Sequence, residues 1–350
     1  MGEGTASFNS EAEAAQGAMK MVEMITGYWV TQILRATAEL SLADHVAAGA
    51  TTAEEIAEHE GSDPATTYRL LRAASSVGLF DDAGDHRFGL TAMGGLLRKD
   101  VPGSLREMAM VQGAPFHWQS WGAFPDAVRE GTTQMHAALG LPEGSTAFDY
   151  FGRHPEEGAL FASSMANATD LVIHDVIAAL DLDGVSVAVD VGGSTGALVQ
   201  ALLKKHQDLK GVVLDMPHVV DSAVEAAGEA GVLDRFSAVA GDFFKEVPAA
   251  DLYLLKMVLH DWSDEQCLTI LRNCRASANP GARAAVVESV VGKVGESNFG
   301  ALLDMNMLAA THGQERDLDE YDALYAQSGW RRVATKPTRS PQIIQELEAI

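Results

Sequence analysis

The chain has 350 residues, 47% of them hydrophobic and 21% charged, which suits a globular protein with room for two ordinary domains. Its formal net charge of -24 repels polyanions, so nucleic acid is not an expected partner. The sequence has no apolar run of about 18 residues and its acidic start does not resemble a secretory signal, so we expect a cytoplasmic protein without a membrane partner.

Residues 11–130 predict mostly helices. A turn at 62–64 separates two of them, and two short strands around 83–84 follow, which is a winged-helix pattern. Winged helices that bind DNA need a basic second helix, and here that helix offers only Arg69 and Arg72. A dimerisation module is therefore preferred to a DNA-binding one.

Residues 104–181 again predict helices, and "FHWQSWGAF" at 116–124 concentrates four aromatic side chains. Two interpretations stay open at this point: the aromatic residues pack in the core, or they form a hydrophobic lid over a substrate pocket.

From Val185 onward, short apolar runs alternate with helical segments near 197–206, 218–230 and 263–277. This alternation predicts βαβ units and a parallel sheet covered on both faces. The predicted strands are "VSVAVDVGG", "KGVVLDM", "FSAVAGD", "ADLYLLKMVL" and "ARAAVVESVV", with a further pair at "WRRVATKPT" and "PQIIQELEAI". We therefore predict three regions, at 1–105, 106–180 and 181–350.

The two cysteines, Cys267 and Cys274, fall in one predicted helix. At this spacing their Cα atoms are roughly 10 Å apart, too far for a disulfide. We expect buried thiols in a reducing compartment.

Three successive predicted strands end in residues that suit a nucleotide-like ligand. "DVGGSTG" is a glycine turn in which Gly192 lets the backbone approach a ligand, and Asp215 ends the next strand, where an acid commonly binds ribose hydroxyls. Asp242 and Phe243 end the third strand and suit an adenine ring. Ligands of open α/β sheets bind in the crevice at these strand ends.

The fourth strand places Lys256 inside an apolar run and is followed by His260. A buried lysine needs a partner for its charge. A phenol has a pKa of about 10, whereas imidazole, near 6.5, is mostly neutral at pH 7 and can accept a proton from a hydroxyl. The structural alternative is a histidine satisfied at a strand–helix junction, with Asp261 or Ser263 capping the next helix.

These segments, together with "LLKMVLHDWSDEQC", "VVES" and "DMNMLAATHGQERD", resemble S-adenosylmethionine-dependent O-methyltransferases of the plant caffeic-acid and bacterial polyketide-tailoring type. The resemblance covers nearly the whole chain, including the winged-helix part, which is similar to that family's dimerisation domain. It implies a Rossmann-like class I methyltransferase sheet at the C-terminus and a mainly helical N-terminal dimerisation domain.

The resemblance also implies roles for individual residues. His260 matches the catalytic base, and Glu288 and Glu315 match two acids that flank it. The implied cofactor-binding residues are Gly192, Asp215, Met216, Asp242, Phe243 and Lys256. The implied substrate-pocket residues are Met165, Phe161, Trp118, Met305 and His312.

Three residues depart from the family pattern. Ser194 stands where a third glycine is usual, and its Cβ narrows the cofactor turn. Met257 replaces a common tryptophan, and His312 replaces one glycine of a Gly-Gly pair near the expected substrate entrance.

The resulting prediction is a homodimeric enzyme that methylates a hydroxyl of a small aromatic acceptor, such as a phenol, quinol, phenazine or polyketide, and uses S-adenosylmethionine without a metal. The alternatives are an N-methyltransferase, a hydroxylase or decarboxylase that has drifted on the same scaffold, and a ligand-sensing winged-helix regulator.

Overall fold

The computed structural model describes residues 11–217 and 219–350. The chain forms two compact units, Met1–Gly113 and Ala114–Ile350. Within the described residues, none of the helices combines the length and the apolar character needed to cross a lipid bilayer.

The first unit consists of helices and one small hairpin. Its helices are α1 (Glu11–Ile25), α2 (Gly27–Glu39), α3 (Leu42–Ala47), α4 (Ala53–Glu60), α5 (Pro64–Ser76), α6 (Ala92–Gly95) and α7 (Arg106–Gln112), and its strands are β1 (Phe80–Asp82) and β2 (Phe88–Leu90).

Local sequence signals explain the winged-helix part. Thr52 and Glu55 form a capping box that begins α4, and Gly61 ends it in a left-handed conformation. Asp63 caps α5, and β1 then pairs with β2 in an antiparallel hairpin. The predicted helix–turn–helix with a small wing is confirmed.

The second unit begins with helices α8 (Pro115–Gly122), α9 (Phe124–Glu130), α10 (Met135–Ala138), α11 (Ala147–Arg153) and α12 (Pro155–Ala179). A seven-stranded sheet follows, built from β3 (Val187–Val191), β4 (Lys210–Asp215), β5 (Phe236–Ala240), β6 (Ala250–Lys256), β7 (Ala278–Ser289), β8 (Trp330–Pro337) and β9 (Gln342–Ala349). The intervening helices are α13 (Ala197–Lys205), α14 (Val220–Glu229), α15 (Asp264–Ser277), α16 (Phe299–Ala310) and α17 (Leu318–Ser328).

The strand order is β5-β4-β3-β6-β7-β9-β8. Strands β3 to β7 are parallel, whereas β9 pairs antiparallel with both β7 and β8. The order reverses between β3 and β6, so the ends of these strands form the crevice in which open α/β sheets bind ligands. The predicted Rossmann-like class I methyltransferase fold is confirmed.

Helices cover both faces of the sheet, which explains the nearly continuous apolar strands. On β6, Leu252 and Leu254 pack in the layer of α12, α13 and α14, whereas Tyr253 and Leu255 pack in the layer of α15 and α17. The predicted buried thiols, Cys267 and Cys274, lie in this second layer on α15.

The helices between 106 and 180 do not form a separate compact body. Helix α7 belongs to the first unit, and α8 to α12 belong to the second. The predicted boundaries at 105 and 180 concern the roles of three regions of the chain. They stay a prediction, because the division into compact units does not show which segment lines a substrate pocket.

Candidate active site

The predicted cofactor residues meet at the carboxyl ends of neighbouring strands. Backbone hydrogen bonds join these ends: Gly192 donates to the Leu214 carbonyl at 2.8 Å, and Gly241 donates to the Asp215 carbonyl at 3.0 Å. The parallel pairing of β3, β4 and β5 therefore places the glycine turn and both acids at one edge of the sheet.

The glycine turn has the tight geometry predicted for a cofactor cradle. Gly192 adopts φ +66°, and a Cβ on it would lie 3.2 Å from Val258 and 3.6 Å from the Phe243 ring. Ser194 has φ 53°, a left-handed conformation that favours glycine. The usual glycine at this position is therefore explained by backbone conformation, and Ser194 is strained there.

The two acidic positions are held by hydrogen bonds from backbone amides. Asp215 accepts hydrogen bonds from the amides of Ser194 and Met216, both at 2.7 Å. Asp242 accepts from the Phe244 amide and pairs with Lys245 at 3.2 Å. These contacts orient both carboxylates at the sheet edge.

Lys256 ends β6 and is half-buried at this edge. Burial lowers its pKa, and the negative charges of Glu288 and Asp190 oppose this effect. Burial likewise raises the pKa of Asp190 to about 7, and the charge of Lys256 opposes the rise. The lysine inside an apolar strand thus has acidic neighbours, and its contact with the cofactor's adenosine stays a prediction.

After β6 the chain turns sharply to present His260. Met257 adopts φ 52°, and a 3₁₀ turn follows at Leu259–Asp261. The amides of Val258 and Leu259 both donate to Oε1 of the fully buried Glu288, each at 2.9 Å. Glu288 therefore anchors the backbone of this turn. Its carboxylate also lies within 4.8 Å of ligand atoms of His260 and Glu315, and its role as an acid flanking the imidazole stays a prediction.

Glu315 contacts the imidazole directly. His260 Nδ1 donates to Glu315 Oε1 at 2.7 Å, and both side chains are buried. Asp304 on α16 accepts a hydrogen bond from the Glu315 amide at 2.9 Å and so fixes the backbone that carries Glu315. Nδ1 is thus engaged by Glu315, and the other ring nitrogen, Nε2, lies 3.7 Å from Asp261 Oδ1.

The surrounding carboxylates dominate the electrostatics of His260. Burial by itself lowers its pKa, but Asp261, Glu288 and Glu315 together raise it to about 10. Burial raises the pKa of Glu288 to about 7, although the charge of His260 opposes that rise. The resting site therefore favours a protonated imidazole.

Among the described residues, three side chains of the site have ligand atoms close enough together to hold a metal ion. They are those of His260, Glu288 and Glu315, whose ligand atoms all lie within 4.8 Å of one another. One oxygen of each glutamate and Nδ1 of His260 already form hydrogen bonds within the protein. A metal-free site stays a prediction.

The loop after α16 shows why one glycine of the family pair can be replaced. A Cβ on Gly313 would lie 1.8 Å from the His260 carbonyl oxygen, so this position requires glycine. His312, in contrast, is exposed. Its place at the substrate entrance stays a prediction.

The predicted substrate residues are only partly brought together. Phe161 stacks on Phe151, with ring centroids 4.7 Å apart, in a cluster that includes Phe116 and Ala310. Met165 and Met305 are half-buried on α12 and α16, whereas Trp118 is largely exposed. The aromatic segment at 116–124 thus divides between core and surface.

Sequence reasoning missed several residues of the site. Asp261 was weighed only as a helix cap, and Arg316 and Gly313 were given no role. The available signal for Gly313 and Arg316 was their adjacency to Glu315 in "GQER".

Comparison with known proteins identifies the family. Residues 121–331 match the O-methyltransferase domain, and residues 22–100 match the O-methyltransferase dimerisation domain. The chain belongs to the O-methyltransferase family.

Relatives of this O-methyltransferase match it over nearly the whole of both chains. The phenazine O-methyltransferase PhzM of Lysobacter antibioticus is 36% identical, covering 98% of this chain and 99% of that protein. A phenazine-1-carboxylate N-methyltransferase of Pseudomonas aeruginosa is 30% identical, covering 96% of this chain and 98% of that protein.

A solved structure shows the same fold with ligands. The neocarzinostatin O-methyltransferase NcsB1, solved with S-adenosylmethionine and 2-hydroxy-5-methyl naphthoic acid, superimposes with a TM-score of 0.77 at 33% identity, covering 92% of this chain and 96% of that chain. The predicted family, enzyme class and cofactor of this O-methyltransferase are confirmed.

Proposed function

We propose that this enzyme transfers the methyl group of S-adenosylmethionine to a hydroxyl of a small aromatic acceptor, with His260 as the general base. The observation that carries the proposal is the buried His260–Glu315 pair, in which Glu315 engages Nδ1 at 2.7 Å, so that Nε2 is the nitrogen that can accept a proton once the imidazole is neutral. The ring does not point into solvent, since His260 is only 5% exposed.

The residues at the sheet edge fit the cofactor. Gly192 keeps the turn open where a Cβ would meet Val258, and the carboxylates of Asp215 and Asp242 suit hydroxyl and amino donors. Phe243 adds an aromatic surface for an adenine ring. We assign the ribose to Asp215, with Met216 beside it, and the adenine to Asp242 and Phe243, with Lys256 next to the adenosine.

When bound, S-adenosylmethionine supplies a methyl group that is already electrophilic, so the protein has two tasks: to align the acceptor oxygen and to remove its proton. Nε2 of His260 takes the hydroxyl proton as the oxygen–carbon bond forms. Glu315 holds the Nδ1–H tautomer and stabilises the resulting imidazolium. Glu288 holds the turn that carries the imidazole.

The relatives include a phenazine O-methyltransferase and an O-methyltransferase solved with 2-hydroxy-5-methyl naphthoic acid, and both support an aromatic acceptor of similar size. We place Phe161, Met165 and Met305 along its pocket, with Trp118 and His312 towards the entrance. Half-buried methionines and an aromatic ring suit a flat apolar molecule.

The test is a methyl-transfer screen over hydroxylated aromatic compounds with the wild type and His260→Ala. His45→Ala is a matched control, because His45 pairs with Glu60 at 2.5 Å in the first unit. We expect methylated product from the wild type and the control, and a kcat lower by about 10²–10⁴-fold in His260→Ala. Equal rates in all three proteins would refute the base assignment.

A second candidate function is methylation of nitrogen. The support for it is the relative from Pseudomonas aeruginosa, which is a phenazine-1-carboxylate N-methyltransferase. An amine acceptor needs less help from a base, so aminoaromatic compounds belong in the same screen. Turnover of an amine that His260→Ala leaves unchanged would favour this candidate. The regulator interpretation has no comparable support, since both matched domains belong to a methyltransferase.

We also propose that the enzyme is a homodimer. The dimerisation-domain match is supported by a run of exposed apolar side chains on α1 and α2, namely Met19, Met21, Val22, Met24, Ile25, Tyr28, Trp29 and Val30. Such a patch marks an interaction surface. Light scattering coupled to size-exclusion chromatography should give twice the chain mass, and a monomer would contradict the proposal.

A further inference from the structure

The guanidinium of Arg316 is completely buried directly beneath the turn that carries His260. Its Nη1 donates to the Leu259 carbonyl at 3.1 Å, and its Nη2 donates to the Trp262 carbonyl at 2.8 Å. Leu259 is the first residue of the 3₁₀ turn Leu259–Asp261, and Trp262 follows its last residue. A single planar group thus spans the turn.

The remaining donors attach the same turn to its surroundings. Nε of Arg316 donates to Asp264 Oδ1 at 2.9 Å, at the beginning of α15, and Nη1 also reaches the Gln314 carbonyl at 3.3 Å. Hydrogen bonds from a charged donor are stronger than neutral ones, and a guanidinium presents its donors in a rigid fork. A lysine at this position would have one ammonium for all these oxygens.

The backbone of Arg316 is fixed as well. Its carbonyl accepts from the Val291 amide at 3.1 Å, and residues 290 and 316 form a parallel bridge just beyond the end of β7. Glu315, the immediate neighbour of Arg316, contacts the imidazole. Both ends of the His260–Glu315 hydrogen bond are therefore on segments that this one side chain joins.

From these contacts we infer that Arg316 is a positioning residue for proton removal: it sets the separation and orientation of His260 and Glu315. The inference rests on the proposed function, because it requires His260 to be the base. Loss of the guanidinium releases two carbonyls next to His260, so the imidazole moves relative to Glu315 and to the acceptor. A displacement of about 1 Å in such a site costs roughly 10²-fold in rate.

The experiment compares Arg316→Met and Arg316→Lys with Arg275→Met. Arg275 is a matched control, since it also donates to backbone carbonyls, those of Gly329 and Ile350, and lies in the last turn of α15, whereas Asp264 begins that helix. We expect kcat to fall about 10²-fold in Arg316→Met and about 10-fold in Arg316→Lys. Binding of S-adenosylhomocysteine, measured by calorimetry, should stay near the wild-type value in all three variants.

Two further readouts separate positioning from a general loss of structure. The Nδ1 resonance of His260 in ¹⁵N-histidine-labelled protein, assigned by its absence in His260→Ala, should shift in Arg316→Met and not in Arg275→Met. In the His260→Ala background, Arg316→Met should leave the residual rate unchanged, because the two residues act as one unit.

The outcomes are distinguishable. Full activity of His260→Ala refutes the proposed base, whatever Arg316 does. An inactive His260→Ala together with similar kcat values for Arg316→Met and Arg275→Met overturns the role of Arg316 alone. If Arg316→Met does not fold, Arg316→Lys decides the question, and wild-type kcat with an unshifted Nδ1 resonance overturns the inference.

Discussion

Gly313 packs so closely against His260 that a Cβ at position 313 would lie 1.8 Å from the His260 carbonyl oxygen. The loop that carries Glu315 therefore rests directly on the turn that carries the imidazole. Their distance is set by a backbone contact, which only a residue without a side chain allows.

Gly313→Ala should therefore displace this loop from the turn. We expect kcat to fall about 10²-fold, because the His260–Glu315 geometry changes, with a stability loss of about 1–3 kcal/mol from overpacking. The control is Gly228→Ala in α14, where an added Cβ meets nothing within 4 Å. Similar kcat values for the two variants would contradict the prediction.

The two glutamates should respond differently to neutralisation. In Glu288→Gln, the amide oxygen can still accept from Val258 and Leu259, and the charge that is lost makes no hydrogen bond with the imidazole, so we expect a loss of activity under about 10-fold. In Glu315→Gln, the charge next to the imidazolium is lost, and we expect a loss of about 10²–10⁴-fold. Steady-state kcat values decide, and a larger loss for Glu288→Gln would reverse the assigned roles.

Removing the Glu288 side chain should lower the stability of the folded protein. Glu288→Ala leaves two buried amides without an acceptor, at a cost of about 1–3 kcal/mol each. A melting temperature of Glu288→Ala well below that of Glu288→Gln is the expected result, and equal melting temperatures would contradict it.

The pH dependence of kcat/KM should reflect the raised pKa of His260. The base must be neutral to act, so activity should rise with pH, and the rise should lie above the ordinary value of about 6.5 because the pKa of His260 is raised to about 10. Asp261→Asn removes one of the charges that raise this pKa. Its profile should shift to lower pH, and an unchanged or alkaline-shifted profile would contradict this account.

Ser194 should be a site of stabilisation. Its left-handed φ of 53° costs a non-glycine residue about 1–2 kcal/mol. Ser194→Gly should therefore raise the melting temperature of the second unit by about 2–4 °C. The control, Ser237→Gly in strand β5, places glycine in an extended strand and should lower it. A fall in both variants would show that Ser194 is not strained.

Much of the fold was predictable because it depends on local patterns. Apolar runs of four to ten residues separated by amphipathic helices predict a sheet covered on both faces, and β3 to β7 form that sheet. The antiparallel addition of β9 between β7 and β8 is a non-local pairing that periodicity does not reveal. The start of β7 also depends on pairing with another strand, which periodicity does not reveal. The strand begins at Ala278, four residues before the predicted apolar run.

For the site, the sequence by itself determined which residue types stand at the strand ends: the glycine turn, Asp215, Asp242 and the lysine–histidine segment. These follow from strand order along the chain, because parallel strands end at a common edge. Only the tertiary structure decided that Glu315 contacts the imidazole while Glu288 holds the backbone of the turn. Contacts between segments about 55 residues apart depend on side-chain direction and loop packing, which Gly313 and the buried Arg316 control.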